Sequence, residues 1–279
     1  MEEGIHPREL IMTNHQRYYG NAYSMYSKMD INPMSLPCIV CISLAEAKDR
    51  RCYMAQQFER FALPYRFFDA IRVPEDPEGF PNHYNAQKRL RMYHQHMTSG
   101  EVGCYLSHRE VWRQMTESDQ DVFCVIEDDV ELANDFPEAL RAIMAARHQW
   151  DVTRLYQYFP RKTHRVSVLD EGLELVTCDK PSSGTNAYLI HRAAAQALYK
   201  FTEEMIRPID DMIDRYWEHK LRLCNISRDI VRHGQFDTTI TGRTSVRRSL
   251  MQKMAHNWHT GISSWRRIIY ALIRRVRMS

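Results

Sequence analysis

Short apolar runs alternate with helical patterns along the first half of the chain. The runs at 37–44 and 122–126 are continuously apolar and rich in β-branched residues, as is typical of strands that are buried on both faces. Between them, Met54 and Phe58 recur at helical spacing, and the stretch 65–71 predicts a second strand. This alternation predicts an α/β fold with a mostly parallel, twisted sheet and helices on both of its faces.

The remaining pattern is more mixed. Helices are predicted over 86–97, 99–115, 136–147 and 192–201, with one more beginning after Pro208, and strands over 151–159, 173–178, 185–190 and 221–226. Three prolines between Pro74 and Pro81 predict a long surface loop. Ser43 and Glu46 have the spacing of a capping box, which predicts where the first helix begins.

The charge of the chain is unevenly distributed. Its 279 residues carry a net charge of only +3, which indicates no particular partner. From Thr238 onward, however, the chain has no Asp or Glu and nine Arg or Lys. The sequence therefore predicts a basic tail at 246–279 after a core domain at 37–245. Residues 1–36 are polar and weakly patterned, which predicts an extension.

Within the tail, Trp265, Ile269, Leu272 and Val276 share one helical face, and the arginines lie largely elsewhere around it. This pattern is typical of a helix that lies on an anionic membrane surface. The alternative is a terminal helix that packs on the domain. Nucleic acid is not expected as a partner, because no recognition module accompanies the basic residues.

The cysteines and the first residues of the chain bear on its location. The seven cysteines form no disulfide framework, which suits a reducing compartment, and Cys38 and Cys41 lie in a strand pattern as core residues. The chain opens with no signal-peptide pattern, and no run of about 18 apolar residues occurs. These features predict a cytoplasmic protein whose basic tail allows it to lie on the inner face of the cytoplasmic membrane.

Three carboxylates, the acidic cluster Glu127, Asp128 and Asp129, follow the apolar run at 122–126. They repel one another and are costly to desolvate. In an open α/β sheet, ligands bind beyond the carboxyl ends of parallel strands. Alternation along the strand places Glu127 and Asp129 on one side, where two oxygen ligands suit a hard cation such as Mn²⁺ or Mg²⁺ that would admit a diphosphate. The alternative is a solvated acidic turn.

Six short stretches occur in a specific order: CISLAEAKDRR, YRFFDAI, GEVGCYLSHREVW, FCVIEDDVEL, GTNAYLIHRAAAQAL and PIDDMIDRYW. In this order and spacing, over roughly residues 38–217, the chain resembles glycosyltransferase family 25. That family includes bacterial lipooligosaccharide galactosyltransferases and, more distantly, collagen β-galactosyltransferases. The resemblance implies a GT-A fold and the inverting transfer of a sugar from a nucleotide-sugar, usually UDP-galactose.

The resemblance also implies roles for the acidic cluster. The EDD segment stands where a GT-A fold carries its DxD metal motif, which implies Asp129 as a ligand of Mn²⁺ or Mg²⁺ and Glu127 as a second ligand or a ribose contact. The role of Asp128 stays open. His233 is the candidate for a third metal ligand, because such folds often use a histidine near the C-terminal end of the domain. The alternative is a surface histidine.

Residues near the first strand are candidates for donor binding. Arg50 and Arg51 follow this strand, where guanidinium groups can pair with a diphosphate; the alternative is a solvated helix face. Ser43, a further candidate, stands where the family commonly carries Asn, so the chain departs from the family motif at this position.

Two glycine-containing stretches supply the other donor-binding candidates. In GEVGCYLSH, Gly100 and Gly103 permit a close backbone approach at a helix start, and His108 is a substrate contact or a structural histidine. In SSGTNAYLIH, Gly184 and Thr185 form either a pocket wall near the sugar or a plain turn before a strand.

Inverting transfer needs a general base that accepts the proton of the attacking acceptor hydroxyl. The stretch PIDDMID offers Asp210, Asp211 and Asp214, and the resemblance implies Asp210 or Asp211. Helix capping is the alternative role for one of them, because both follow Pro208 at a helix start. Asp211 ranks ahead, because Asp210 is better placed to serve the helix end.

The sequence thus predicts a metal-dependent, inverting glycosyltransferase that moves galactose from UDP-galactose to a lipooligosaccharide or another glycan acceptor. A second hypothesis is a catalytically silent relative that binds a nucleotide-sugar and acts as a scaffold. The departure at Ser43 is the feature that favours this second hypothesis.

Overall fold

A mixed β-sheet with helices on both faces forms the centre of the protein in the computed structural model, which describes residues 36–234, 236, 265 and 267–270. The strands are β1 (Cys38–Ser43), β2 (Tyr65–Asp69), β3 (Val122–Glu127), β4 (Val130–Leu132), β5 (Val152–Arg154), β6 (Thr163–Asp170), β7 (Leu173–Cys178), β8 (Ala187–His191), β9 (Leu223–Ile226) and β10 (Val231–His233). The helices are α1 (Lys48–Arg60), α2 (Ala86–Tyr93), α3 (Ser99–Thr116), α4 (Phe136–Ala145), α5 (Arg192–Phe201), α6 (Ile209–Ile213) and α7 (Tyr216–His219). Short 3₁₀ helices cover Pro77–Gly79 and Arg147–Gln149.

Among the described residues, eight strands pair in the order β2–β1–β3–β8–β5–β9–β7–β6, and β4 pairs with β10 in a separate ribbon. β1 is parallel to β2 and β3, and β5 is parallel to β9, whereas the four other pairings of the sheet are antiparallel. The prediction of a mostly parallel sheet is therefore right for β1–β3 and wrong for the sheet as a whole. The reason is that a buried strand shows the same apolar run whichever way its neighbours point.

Two hydrophobic clusters lie on opposite faces of the sheet, and β3 contributes to both by alternation. Phe123 and Val125 join the cluster that contains α3 and α5, whereas Cys124 and Ile126 join the cluster that contains α1 and α4. Trp112 of α3 is fully buried in the first of these clusters. Helices thus cover both faces, as the alternating pattern predicts.

Most predicted elements are present, but the short strands β4 and β10 were not predicted, and three further corrections apply. The helix predicted after Pro208 is two short helices, α6 and α7, and the strand β6 has no counterpart among the predictions. The capping box predicted at Ser43 and Glu46 is wrong, because α1 begins after Ala47 and has no side-chain cap. Ser43 is instead the last residue of β1, and its hydroxyl bonds to a carboxylate far away in the sequence.

The predicted extension and tail lie largely outside the described residues. The extension is described only at Leu36, and the tail only at Trp265 and 267–270, which are helical. Tyr270 packs against Tyr216, with ring centroids 5.9 Å apart, whereas Trp265 is 70% exposed. Among the described residues, no helix has the length and apolarity needed to cross a membrane. Attachment of the tail to an anionic membrane therefore stays a prediction.

Candidate functional site

The acidic cluster lies where the first three strands end. Because β1, β2 and β3 are parallel, their carboxyl ends meet at one edge of the sheet. A cavity of about 440 Å³ opens at this edge. Its lining includes Ser43, Arg50, Gly103, His108 and all three members of the acidic cluster. The structure therefore brings these candidate residues together at one strand edge.

Asp128 is fixed by two partners from the first strand and helix. The Ser43 hydroxyl donates to Oδ2 of Asp128 at 2.5 Å, and Nη1 of Arg50 donates to Oδ1 at 3.0 Å. Both side chains of the ion pair are largely buried. Asp128 therefore faces β1 and α1, away from the contacts of Glu127 and Asp129. The strand ends at Glu127, so a turn at 128–129 and not strand alternation sets these directions.

Glu127 lies against α3 and the segment before β8. Its Oε1 receives hydrogen bonds from Nε2 of His108 at 3.2 Å and from the hydroxyl of Thr185 at 2.6 Å. The other ring nitrogen of His108 bonds to the hydroxyl of Tyr188 at 2.8 Å. Burial opposes ionisation of Glu127, but the hydrogen bonds from His108 and Thr185 outweigh it, so the pKa of Glu127 is lowered.

Asp129 is nearly buried, and its carboxylate accepts a hydrogen bond from Nδ2 of Asn186 at 3.3 Å. Burial and the neighbouring charge of Glu127 raise the pKa of Asp129 to about 6. His233 pairs with Val130 in the β4–β10 ribbon, close enough for its charge to lower the pKa values of both Glu127 and Asp129. Excess negative charge with a histidine at its side is a donor set that suits a divalent cation.

Gly234 lets this ribbon approach Asp129. Its backbone N–H donates to the carbonyl oxygen of Asp129 at 2.7 Å, and a Cβ at position 234 would lie 2.9 Å from the same oxygen. Only glycine allows this approach without a shift of the backbone. The contact holds the ribbon, and with it His233, beside the acidic cluster.

A second group of metal-binding residue types lies deeper in the site. The ligand atoms of Cys104, His108 and Glu127 lie within 4.8 Å of one another. Burial raises the pKa of the Cys104 thiol well above its ordinary value, so the thiolate that a metal requires is disfavoured. A set with a thiol and only one carboxylate is a poor match to the oxygen ligands that Mn²⁺ and Mg²⁺ prefer. Metal binding by Glu127, Asp129 and His233 stays a prediction.

The two candidate arginines have different positions. Arg50 lines the cavity, whereas Arg51 lies outside the cavity lining and binds the ends of β1 and β2. Arg51 donates to the backbone oxygens of Ser43 at 2.7 Å and Leu44 at 3.1 Å, and to Asp69 at 2.5 Å. Arg51 therefore stabilises the edge on which the cavity is built, and its position favours a structural role over a donor contact.

The close approach expected at Gly103 is made by protein backbone. A Cβ at this position would lie 2.4 Å from the carbonyl oxygen of Ile71, in the segment after β2. Ser107 strengthens the contact, because its hydroxyl accepts from the Ile71 N–H at 2.8 Å and donates to the Gly103 oxygen at 2.7 Å. Thr98 caps α3 in a capping box with Glu101, so Glu101 serves the first helical turn.

A buried arginine holds the segment that contains Gly184 and Thr185, which we call the 181–186 loop. Arg154 at the end of β5 is 2% exposed, and its Nε donates to the Gly184 oxygen at 3.0 Å. Its Nη1 donates to Ser182 at 3.3 Å and also to Asp214, which follows α6. Arg154 thus joins this loop to α6 through a buried ion pair.

The 181–186 loop connects the acidic cluster to the base candidates. Gly184 has a φ of +82°, which favours glycine, and its N–H points to Oδ2 of Asp210 at 3.4 Å. Asp210 also accepts from the N–H of Asp211 at 2.9 Å, in the first turn of α6. Asp210 therefore serves both the helix end and the loop that holds Glu127.

Asp211 has a different environment. The residue is exposed to solvent, although neighbouring groups partly desolvate its carboxylate. Desolvation and the neighbouring charges of Asp210 and Asp214 raise the pKa of Asp211 to about 6. Such a carboxylate is accessible, mostly ionised near neutral pH and more basic than an ordinary Asp, as a general base should be.

Several residues of the site were not predicted from the sequence. Asn186 and Tyr188 lie in the stretch GTNAYLIHRAAAQAL, but nothing in their spacing indicates contacts with Asp129 or His108. Arg154 had a signal, since an arginine inside a predicted strand needs a partner if the strand is buried. Its partner, Asp214, lies 60 residues away, beyond the reach of local patterns.

Comparisons with known proteins agree with the resemblance. Residues 37–213 match the family model of glycosyltransferase family 25, described as an LPS biosynthesis protein. The lacto-N-neotetraose biosynthesis glycosyltransferase LgtE of Neisseria meningitidis serogroup B is 29% identical over 191 residues, which cover 64% of this chain and 67% of the relative.

Two animal relatives are longer. A glycosyltransferase 25 family member of Aedes aegypti is 28% identical over 206 residues, or 67% of this chain and 32% of the relative. Procollagen galactosyltransferase 1-B of Xenopus laevis is 24% identical over 229 residues, or 75% of this chain and 36% of the relative. The chain therefore spans about a third of the length of these two animal proteins.

Proposed function

This chain belongs to glycosyltransferase family 25, and we propose that it transfers galactose from UDP-galactose to a glycan acceptor with inversion, on a GT-A fold. The donor occupies the cavity at the ends of β1–β3. One observation supports this proposal most strongly. The acidic cluster, Arg50 and the start of α3 all line the same cavity at one strand edge.

The acidic cluster supports metal assistance. Asp129, Glu127 and His233 would hold Mn²⁺ or Mg²⁺, which when bound would offset the carboxylate charge and stabilise a diphosphate leaving group. The support is the raised pKa of Asp129, whose causes are burial first and then the charge of Glu127. Asp128 has a different role, because its charge is already paired with Arg50.

The wall of the cavity supports diphosphate binding at the donor site. Arg50 contributes positive charge, held in place by its bond to Asp128. Ser99 and Gly100, at the start of the 18-residue helix α3, also line the cavity, and a helix N-terminus favours anions. The departure from the family motif at Ser43 is accommodated here, because its hydroxyl makes a short bond to Asp128.

Asp211 is the proposed general base. It accepts the proton of the acceptor hydroxyl as the oxygen attacks the anomeric carbon, and the proton then rests on its carboxylate. Its accessibility and its raised pKa support this role. Asp210 is less suited, since it already accepts hydrogen bonds from two backbone N–H groups, which stabilise its ionised form.

The proposed acceptor is a lipooligosaccharide or a related glycan, and the proposed location is the cytoplasm. The support for the acceptor is the description of the family model and the name of the bacterial relative. A glycan that is attached to a lipid would also give the basic tail a membrane surface to lie on.

The experiment that tests this proposal is a screen of UDP-sugars for UDP release, with Mn²⁺, with Mg²⁺ and with a chelator. We expect metal-dependent turnover of UDP-galactose that Asp129→Asn lowers more than about 100-fold, since even residues that only support metal ligands are typically worth 10- to 100-fold. Glu131→Gln, an exposed carboxylate two residues away, is the matched control and should retain turnover.

Two outcomes would contradict the proposal in different ways. Full turnover in Asp129→Asn would show that the acidic cluster holds no essential metal. UDP binding without transfer to any of a panel of glycan acceptors would instead favour the catalytically silent scaffold.

A further inference from the structure

An exposed aromatic segment lies beside the site but outside the donor cavity. Tyr158 and Phe159 follow β5 and are 51% and 46% exposed, and Tyr156 before them is half-buried. Ring centroids are 6.2 Å apart for Tyr156 and Tyr158, and 4.8 Å apart for Tyr158 and Phe159, with nearly perpendicular planes. We call these three residues the aromatic row. None of its members is in the lining of the donor cavity.

The aromatic row is anchored to the 181–186 loop. The Phe159 N–H donates to the Ser182 oxygen at 3.1 Å, and a Cβ on Gly184 would lie 3.4 Å from Cβ of Tyr158. Arg161 adds a third attachment, because its Nε donates to the Pro181 oxygen at 2.8 Å. Large exposed rings are thus held in place by backbone contacts, which a merely solvated loop does not require.

This anchoring links the aromatic row to the acidic cluster and to a base candidate. The loop that contacts Tyr158 and Phe159 also bonds to Asp210 through Gly184, to Glu127 through Thr185 and to Asp129 through Asn186. At the inner end, Tyr156 is half-buried and packs against the hydrophobic cluster that contains α1 and α4. The row therefore leads outward into solvent from a loop that also bonds to the acidic cluster.

The chemistry of the exposed rings fits a sugar. A hexopyranose presents a face of polarised C–H groups, which matches the negative face of an aromatic ring, while its hydroxyls stay hydrated at the rim. The Arg161 guanidinium lies over the Phe159 ring, 5.1 Å from its centroid, and supplies hydrogen-bond donors within the exposed patch. An exposed apolar patch with a polar rim is typical of a binding surface.

We propose that Tyr158 and Phe159 form an acceptor subsite that stacks a hexopyranose ring of the acceptor glycan. This inference rests on the proposed function for the direction of the glycan, since the row contacts the loop that bonds to Glu127 and Asp129 and lies outside the lining of the donor cavity. It adds a binding surface and a substrate contact to the residues that act on the donor.

The first test measures glycan binding directly, without any donor. Saturation-transfer NMR on the full chain uses the methyl β-glycosides of galactose, glucose and N-acetylglucosamine. We expect at least one glycoside to receive saturation at its ring C–H protons in the wild-type protein. The signal should be lost in Tyr158→Ala and Phe159→Ala and retained in Tyr158→Phe, which keeps the ring.

The matched control is Trp265→Ala, which removes another exposed aromatic ring from a different segment. It should leave the glycoside signal unchanged. The inference is overturned if no glycoside gives a signal in the wild-type protein, or if both alanine variants keep it. It is also overturned if Phe159→Ala abolishes binding to phosphatidylglycerol vesicles while no glycoside binds, because the rings would then contact lipid.

The second test separates the subsite from the proposed function. Each alanine variant should raise the acceptor KM about 3- to 10-fold, as expected for the loss of one aromatic contact, while UDP-sugar hydrolysis without acceptor keeps its KM. If no UDP-sugar turns over but the glycoside signal still depends on the rings, the proposed function fails and the subsite stands. If transfer proceeds with an unchanged acceptor KM, the subsite fails and the function stands.

Discussion

The two halves of the sheet are built in different ways around one site. In the N-terminal half, β1, β2 and β3 are parallel, and the charged residues come directly after their strands. In the C-terminal half, β5, β7, β8 and β9 pair mostly antiparallel, and the polar residues sit on the 181–186 loop and on α6. The first half presents fixed charge to a cavity, whereas the second half holds that charge in place and supplies the base candidates.

This difference indicates that the two halves of the sheet serve different steps of the proposed reaction. Asp128 is bonded to Ser43 and Arg50, which both belong to the N-terminal half. Glu127 and Asp129 instead receive hydrogen bonds from Thr185 and Asn186 of the C-terminal half. Variants in the N-terminal half should therefore change donor binding, and variants in the C-terminal half should change transfer.

The largest effect is expected at Asp211. Asp211→Asn should lower kcat for transfer about 10²- to 10⁴-fold, the usual range for loss of a general base, while UDP binding stays unchanged. The wild-type kcat should fall below pH about 6, because a pKa raised to about 6 means that the carboxylate is present above this pH and is protonated below it. Steady-state kinetics from pH 5 to 8 measure both effects.

Asp210→Asn is the companion variant, because it removes the neighbouring carboxylate of the same helical turn. It should lower kcat less than Asp211→Asn and keep the fall near pH 6. A reversed order of the two variants would assign the base to Asp210.

The next largest effect tests the buried ion pair of Arg154 and Asp214, which joins the 181–186 loop to α6 in the C-terminal half. Arg154→Met leaves Asp214 buried without its partner, which should lower the free energy of unfolding by about 3–5 kcal/mol. Urea denaturation measures the change. Arg165→Met breaks a pair whose arginine is 63% exposed and should cost at most about 1 kcal/mol. An equal loss of unfolding free energy in the two variants would contradict the role of the Arg154–Asp214 ion pair.

A smaller effect tests the N-terminal half. Gly103→Ala places a methyl group where the Ile71 carbonyl oxygen lies 2.4 Å away, so α3 and the segment after β2 must separate. We expect a loss of about 1–3 kcal/mol in unfolding free energy, as for other overpacked contacts, together with a higher KM for the UDP-sugar. Unchanged stability and an unchanged donor KM would show that this approach does not shape the cavity.

The sequence predicted the N-terminal half of the sheet better than the C-terminal half for a physical reason. Strands buried on both faces give continuous apolar runs, and 37–44 and 122–126 correspond to β1 and β3 with small differences at their ends. The strand β6 is largely exposed and lacks such a run. Strand direction also leaves no trace in periodicity, which is why the antiparallel pairings of β8 were not predicted.

The site shows the same contrast. The acidic cluster was found because three adjacent carboxylates after a buried strand are costly without partners. The bond from Thr185 to Glu127 joins residues 58 positions apart, and the bond from Asn186 to Asp129 joins residues 57 apart. Such contacts depend on how the two halves pack. A local sequence pattern therefore identifies the charged residues but not their hydrogen-bond partners.

The most direct test of the central claim is anomalous scattering from a crystal of the protein that contains Mn²⁺ and UDP. We expect a manganese peak within about 2.5 Å of a carboxylate oxygen of Asp129, the distance typical of hard-cation ligands, with the diphosphate in the cavity beside Arg50. Manganese and UDP bound away from the acidic cluster, or UDP in the cavity with no metal at Asp129, would contradict the account.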